Sequence, residues 1–441
     1  MSHDMRSAGG YPSRLIAWYT VIVLLAAYTL SYMDRTIISL MVDPIKADFG
    51  LTDTQFSLLQ GVAFAVMYTS FGLPMGWLVD RMSRKLIMIA GVLTWSAATI
   101  GCGMARSFGQ LFGWRVMVGV GEATLTPAAE STIADLFPPD RRAGAFAVYN
   151  LGVSVGSGLA LVIGGTVIHF VGSDTVTTVP LLGELKPWQY TFVVVGLPGA
   201  LVALLMLTIP EPARRELYKG QVKLRSSEAW RFFGARRWLY APFMAGAGIM
   251  AMTNAAFSAW IPAMITRTFD WPRGLVGQSY GAVTLIFGVL GAALTLTFGD
   301  RLLKRFNTKT MAAFYSVAAL FQVMAALAPS PYLTLACIAV PALALGATPG
   351  LSAAVLQNTT PNQFRGQFIA TFLIVNALLA SGLGPILPAL MTDHVFGAEN
   401  VRYSLATVAL IFPAIAALLM LYVSRRVPAA LAEAAAWRAS D

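Results

Sequence analysis

Asp34 and Arg35 stand side by side in the stretch SYMDRTIISLM, Ser31 to Met41, late in an apolar run that begins near Leu15. Arg115 and Glu122 repeat the pairing of acid and guanidinium seven residues apart, a spacing that puts both on one face of a helix. A charge at bilayer depth costs at least ~2.5 kcal/mol, so such residues mark function by default. Buried ion pairs are poor stabilisers beside apolar packing, which argues against a purely structural role. The chemistry these residue types support is proton exchange. Asp34 and Glu122 are candidate proton acceptors whose pKa depends on desolvation and on Arg35 and Arg115. A proton on the acid would free a guanidinium to take an anionic or zwitterionic group, and loss of the proton would restore the pair. Glu130, about 80° off the Glu122 face by helical arithmetic, serves elsewhere. Pro127, between the two, is expected to kink the helix or loosen a carbonyl. Asp135 falls near one end of the run, and His169 reads as an ordinary interfacial residue.

The elements that must position these residues follow from composition. The chain has 441 residues, 57% hydrophobic and 12% charged, with mean hydropathy +0.66. Soluble domains carry roughly 25% charged residues. Only helices and closed barrels satisfy their backbone in lipid, and repeated apolar runs of ~20 residues or more select helices. The net charge of +10 does not imply nucleic acid, because the basic residues sit in loops and tails. Cys102 and Cys337 lie in separate apolar runs with no ligand set about them, so neither a disulfide nor a metal site is expected. The N-terminal stretch MSHDMRSAGGYPSR has no apolar core ending in a small-residue cleavage site.

About twelve spans are expected, at 15–42, 55–78, 86–105, 108–135, 143–169, 188–209, 239–266, 274–299, 310–329, 331–358, 366–392 and 403–424. The segment from Glu211 to Arg237 is the one long charged linker, and it divides them six and six. The expected organisation is a tail 1–14, a bundle 15–210, a linker 211–238, a second bundle 239–424 and a tail 425–441. Most of the 31 Lys and Arg residues fall on the side of the N-terminus. The other side holds Lys46, Arg106, Lys186, Arg267, Arg273 and Arg402, so both termini are expected in the cytoplasm. Within the linker, Ser226 to Arg236 reads either as a solvated charge load or as a surface helix with Trp230, Phe232 and Phe233 facing headgroups.

The halves resemble each other. Gly76-Trp-Leu-Val-Asp80-Arg81-Met-Ser-Arg84-Lys85 follows the second span, and Gly299-Asp300-Arg301-Leu-Leu-Lys304-Arg305 follows the eighth. Arg142-Ala-Gly144-Ala-Phe146 recurs loosely as Arg365-Gly366-Gln-Phe368, at nearly the same offset. Such duplication builds the two states of secondary transporters. The first of these loops resembles the signature loop of the major facilitator superfamily, with Ser83 where the pattern has a second Gly. The resemblance implies an all-α membrane protein of twelve transmembrane helices in two pseudo-symmetric six-helix bundles. It also implies a conformational latch at Gly76, Asp80, Arg81, Arg84 and Lys85, with Asp300 and Arg301 as the weaker second copy. YMDRT in the first span, Arg115 to Phe146, and GVSVGSGLALVIGG in the fifth resemble the Spinster subgroup of lysolipid and sphingolipid transporters. The Asp-Arg and Arg-x6-Glu elements are also similar to those of organic anion symporters of the superfamily.

The second half reads differently, since none of its six apolar runs contains Asp, Glu, Lys, Arg or His. Its polar candidates are Thr253, Asn254, Gln357 and Asn376. Met250, Met252, Phe257 and Trp260 surround Asn254 with soft and aromatic groups that suit an apolar ligand or, equally, lipid or core. A charged half and an apolar half suit an amphiphile. The expectation is alternating-access transport without an enzymatic reaction or cofactor, driven by a proton gradient. Arg35, Arg115, Asn254, Phe257, Trp260 and Asn376 would bind a lysophospholipid or sphingosine-type substrate. The expected partners are that substrate, protons and the bilayer, with no nucleic acid, for a monomer in a bacterial inner membrane. An organic anion symporter and a multidrug antiporter stay open as alternatives.

Overall fold

A computed structural model describes residues 11–79, 81–138, 141–171, 176–179, 183–214, 226–306 and 308–440. Serine and threonine caps start several of its helices. Ser13 Oγ accepts from Ile16 N at the start of α1 (Arg14–Thr36), which runs into a 3-10 turn at Ile37–Leu40. Gly50, at φ +64°, ends α2 (Val42–Phe49) in the left-handed conformation that glycine adopts without steric cost. Thr52 and Gln55 form a reciprocal capping box on α3 (Asp53–Ser57). A π-helical segment, Leu58–Val62, joins this to α4 (Ala63–Val79). Ser83 caps α5 (Arg84–Gly103) and Ser107 caps α6 (Phe108–Glu122). The chain continues through α7 (Leu125–Leu136), α8 (Arg142–Val171), α9 (Pro187–Gly196) and α10 (Pro198–Thr208). Between α8 and α9, β1 (Thr177–Val179) pairs antiparallel with β2 (Gly183–Leu185), with Thr178 opposite Glu184. This small hairpin falls in a loop for which the sequence reading expected no strand.

After the linker come α11 (Ser226–Ala235), α12 (Arg237–Phe269), α13 (Arg273–Phe306), α14 (Thr308–Leu327) and α15 (Pro331–Thr359). Then follow α16 (Asn362–Ala377), α17 (Ile386–Met391), α18 (Val401–Ser424) and α19 (Val427–Ser440). Among the described residues, 10 helices are long and apolar enough to cross a membrane. The two further expected spans are α15, a single helix of 29 residues, and the pair α6–α7. That pair breaks at Ala123 and Thr124, one turn before Pro127. A proline has no N–H for the carbonyl four residues earlier, which here is that of Ala123.

The chain forms two compact units. The first is Met1–Leu217 with Asp270–Leu285, and the second is Tyr218–Phe269 with Ile286–Asp441. The sequence reading gave residues 270–285 to the second bundle; they group with the first because α13 begins against α8. Added β-carbons at Gly277 and Gly165 would each lie 2.7 Å or less from backbone of the other helix. Only glycine permits that approach. On its other flank α8 meets α1, where a β-carbon at Gly156 would lie 2.3 Å from the Thr29 carbonyl oxygen.

In the second unit the core gathers Tyr240, Phe243, Met244, Met311, Tyr315 and Met420. The surface-helix reading of the linker gives α11, but Phe232 and Phe233 turn inward. They pack on Tyr240 and Phe368, with ring centroids 5.7–6.3 Å apart except for Tyr240 and Phe368 themselves at 4.6 Å. Burial of two rings outweighs headgroup contact, and only Trp230 stays exposed.

Candidate functional site

The first unit brings Asp34, Arg35, Arg115 and Glu122 together. Glu122 ends α6 and is fully buried, while the Arg35 side chain keeps 20% of its surface. Arg35 Nε donates to Glu122 Oε2 at 2.5 Å. Ser31 Oγ, one helical turn before Arg35, donates to the same oxygen at 2.6 Å. Arg35 Nη2 in turn donates to Ser31 Oγ at 3.3 Å. The other oxygen, Glu122 Oε1, is buried without a hydrogen-bond partner. One carboxylate oxygen thus carries both hydrogen bonds.

The rings of Tyr32, Phe64 and Tyr68 lie 4.8, 4.3 and 4.9 Å from the Arg35 guanidinium carbon. Cation–π attraction and the ion pair act on the same group. Phe64 and Tyr68 are one turn apart on α4 and stack at 5.2 Å.

Arg115 and Asp34 meet at the backbone. Arg115 is 1% exposed. Its Nη1 donates to the Asp34 backbone carbonyl at 3.0 Å and its Nε to that of Leu59 at 3.4 Å. Both carbonyls stand where regular α-helix gives way, Asp34 ahead of the 3-10 turn and Leu59 within the π-helical segment. A guanidinium with several donors can serve two carbonyls at such irregular turns. Asp34 Oδ1 is buried with no hydrogen-bond partner.

The signature loop engages its own unit. Arg84 is buried at the start of α5 and pairs with Asp135 at the end of α7. It also donates to the Ser131 carbonyl at 3.1 Å and the Pro212 carbonyl at 2.7 Å. Lys85 Nζ donates to the Leu207 and Ile209 carbonyls at 2.6 and 2.9 Å, closing the end of α10. Glu211 accepts from the Arg84 N–H at 2.8 Å and from Ser83, so the linker begins by capping α5. Gly76 lies within α4, and Arg81 is exposed just beyond it. Asp80 and the side chains of Asp300 and Arg301 lie outside the described residues.

In the second unit Trp260 is fully buried, and its indole N–H donates to the Pro385 carbonyl at 2.8 Å. That hydrogen bond makes Trp260 a brace within its own unit. Phe257 is 5% exposed. Asn376 is half-buried and its Nδ2 donates to the Phe372 carbonyl at 3.2 Å, within its own helix. Asn254 accepts at Oδ1 from Gln322 Nε2 at 3.0 Å. The sequence reading missed Ser31, the rings about Arg35, and Gln322. The first group carried a signal in the one-turn spacing of Ser31 with Arg35 and of Phe64 with Tyr68; Gln322 stood alone in an apolar run.

Residues 24–295 match the model of the Major Facilitator Superfamily. The chain is 30% identical over 290 residues to an MFS-type efflux pump of Mycolicibacterium smegmatis, covering 66% of this chain and 64% of that one. It is 29% identical over 311 residues to Protein spinster of Drosophila melanogaster, covering 67% of this chain and 49% of that one. The matches thus span about half to two-thirds of the length of these relatives. Among solved structures, it is similar to a bacterial homolog of the human lysosomal transporter Spinster in an inward-facing, unoccupied conformation. That match has a TM-score of 0.79 at 27% identity, covering 95% of this chain and 99% of that one. A D-xylose–proton symporter shares the fold, with a TM-score of 0.67 at 16% identity, covering 91% of this chain and 97% of that one.

Proposed function

Because the chain belongs to the major facilitator superfamily, and within it resembles the Spinster subgroup, we propose that this multi-pass membrane transporter is proton-coupled and moves a single-chain amphiphile. The observation that carries the reading is Glu122: a fully buried carboxylate whose one oxygen binds Arg35 and Ser31 and whose other has no partner. Protonation of Glu122 cancels the charge that holds Arg35. The guanidinium, already partly exposed, is then free to take an anionic or zwitterionic head. Deprotonation restores the pair and expels the head. Asp34 is a second acceptor, coupled to Arg115 through the helix end that Arg115 holds.

Alternating access then needs no cofactor beyond the proton gradient. Within the second unit, Phe257 and Asn254 are the candidate substrate contacts, and Trp260 and Asn376 act through the packing around them. In this reading the protein works as a monomer in a bacterial inner membrane, with both termini cytoplasmic as the basic residues require.

A thermal-shift series of the purified protein with lysophospholipids of increasing chain length tests this. Affinity is expected to climb by at most ~0.8 kcal/mol per buried methylene and to fall in Arg35→Ala. A flat dependence on length, with tight binding of a small dicarboxylate, would give the case to an organic anion symporter. The rings around Arg35 and the similarity to an efflux pump favour a second reading, antiport of organic cations. Stabilisation by cationic dyes and by no lysolipid would select it.

A further inference from the structure

Three described asparagines in helices or turns spend their amide on the carbonyl four residues back. Asn150 donates to Phe146 at 2.9 Å, Asn376 to Phe372 at 3.2 Å and Asn400 to Phe396 at 2.9 Å. This local bond is the ordinary resting place of a polar side chain in an apolar helix. Asn254, in the middle of α12, does not make it. Its Oδ1 is held instead by Gln322 Nε2, from α14, at 3.0 Å.

Gln322 is 1% exposed, and its Oε1 is buried with no partner. An unpaired amide oxygen in a bilayer span is costly, so its retention needs a return. Turning both amides over would exchange the unpartnered oxygen for an unpartnered NH2, which folded chains tolerate less well. In the orientation described, the acceptor of Asn254 is occupied. Its Nδ2, on a half-buried residue, has no acceptor among the described residues.

We propose that Gln322 is a positioning residue that turns the Asn254 amide to offer N–H donors, and that the substrate group received there is an uncharged acceptor, the carbonyl oxygen of an ester-linked acyl chain. The acceptor is uncharged because the apolar runs of this unit hold no Lys, Arg or His to neutralise a phosphate. The assignment rests on the amphiphile reading and narrows it, from any single-chain lipid to one whose chain is joined by a carbonyl.

The test compares a palmitoyl lysophosphatidylcholine with its hexadecyl ether analogue, equal in head and nearly equal in tail. Binding to the purified protein and uptake into proteoliposomes are read for both. The wild type is expected to prefer the acyl compound by roughly five- to tenfold, the factor that one neutral hydrogen bond supplies. Asn254→Ala and Gln322→Leu should each bring the ratio close to one, and the double variant should change it no further than either alone. A merely structural Gln322 would lower binding of both compounds equally and keep the ratio, which would overturn the assignment. Equal binding of both compounds by the wild type would overturn it too, while leaving the amphiphile reading intact. Binding of neither compound would overturn the amphiphile reading and the assignment with it.

Discussion

In each unit a polar couple joins two helices through a buried side chain. In the first, Glu122 of α6 meets Arg35 and Ser31 of α1 at 2.5–2.6 Å. In the second, Asn254 of α12 meets Gln322 of α14 at 3.0 Å. Both leave one buried oxygen without a partner, Glu122 Oε1 and Gln322 Oε1. The couples differ in what they can exchange. A carboxylate beside a guanidinium changes its charge when a proton arrives, and the guanidinium then changes partner. Two amides have no proton to trade near neutral pH, so they discriminate only by the direction in which donors and acceptors point. The proposed coupling to an ion gradient therefore rests on the first unit, and the proposed recognition of an uncharged group on the second.

The sharpest way to break this comparison is to make the first couple resemble the second. Glu122→Gln keeps the shape and one acceptor oxygen but removes the titration. Uptake driven by a pH gradient into proteoliposomes is expected to fall to the level of protein-free liposomes, while the protein stays folded. Counterflow, which needs no net proton movement, should survive in part. A Glu122→Gln protein that retains full gradient-driven uptake would remove Glu122 from the coupling path.

A smaller effect, on stability rather than coupling, is expected at Arg84. The signature loop reads from sequence as a conformational latch, yet Arg84 ties α5 to Asp135, Ser131 and the Pro212 carbonyl within the first unit. Removing one partner of a buried pair leaves the other charge uncompensated, at ~3–5 kcal/mol. Arg84→Ala should therefore lower the melting temperature markedly. If it melts as the wild type does but alters cysteine labelling from the two membrane faces, the latch role would replace the structural one.

Hydropathy gave the helical spans, because a bilayer allows few alternatives. It could not give the breaks. Pro127 announced a disturbance, but the helix parts at Ala123 and Thr124, where the carbonyl it leaves unpaired lies. The grouping of residues 270–285 with the first unit depends on glycines of α8 and α13 meeting, a contact between segments more than 100 residues apart that no local pattern encodes. Within the candidate site, Asp34, Arg35, Arg115 and Glu122 stood out because a charge in an apolar run is conspicuous. Their partners were not. Arg115 holds two backbone carbonyls rather than a carboxylate, and the backbone offers one at every residue, so the sequence does not single them out. Gln322 was passed over because its partner, Asn254, lies 68 residues away on another helix, where no local pattern joins them.

The smallest expected effect separates bracing from recognition inside the second unit. Trp260 is fully buried, and its indole N–H reaches the Pro385 carbonyl, just before α17 and after the π-helical segment Leu378–Leu383. Regular hydrogen bonding is interrupted there, so the indole acts as an added donor. Trp260→Phe keeps most of the ring and removes only that donor, with a small void. The cost should be about 1–3 kcal/mol, that of one buried group losing its partner. It should show as a modest drop in melting temperature. The acyl-to-ether preference assigned to Asn254 should stay at its wild-type value, because the Trp260 N–H is spent on the Pro385 carbonyl. If Trp260→Phe instead abolished that preference and left the melting temperature unchanged, Trp260 would belong to the ligand surface. The second unit would then recognise its substrate with an indole as well as an amide.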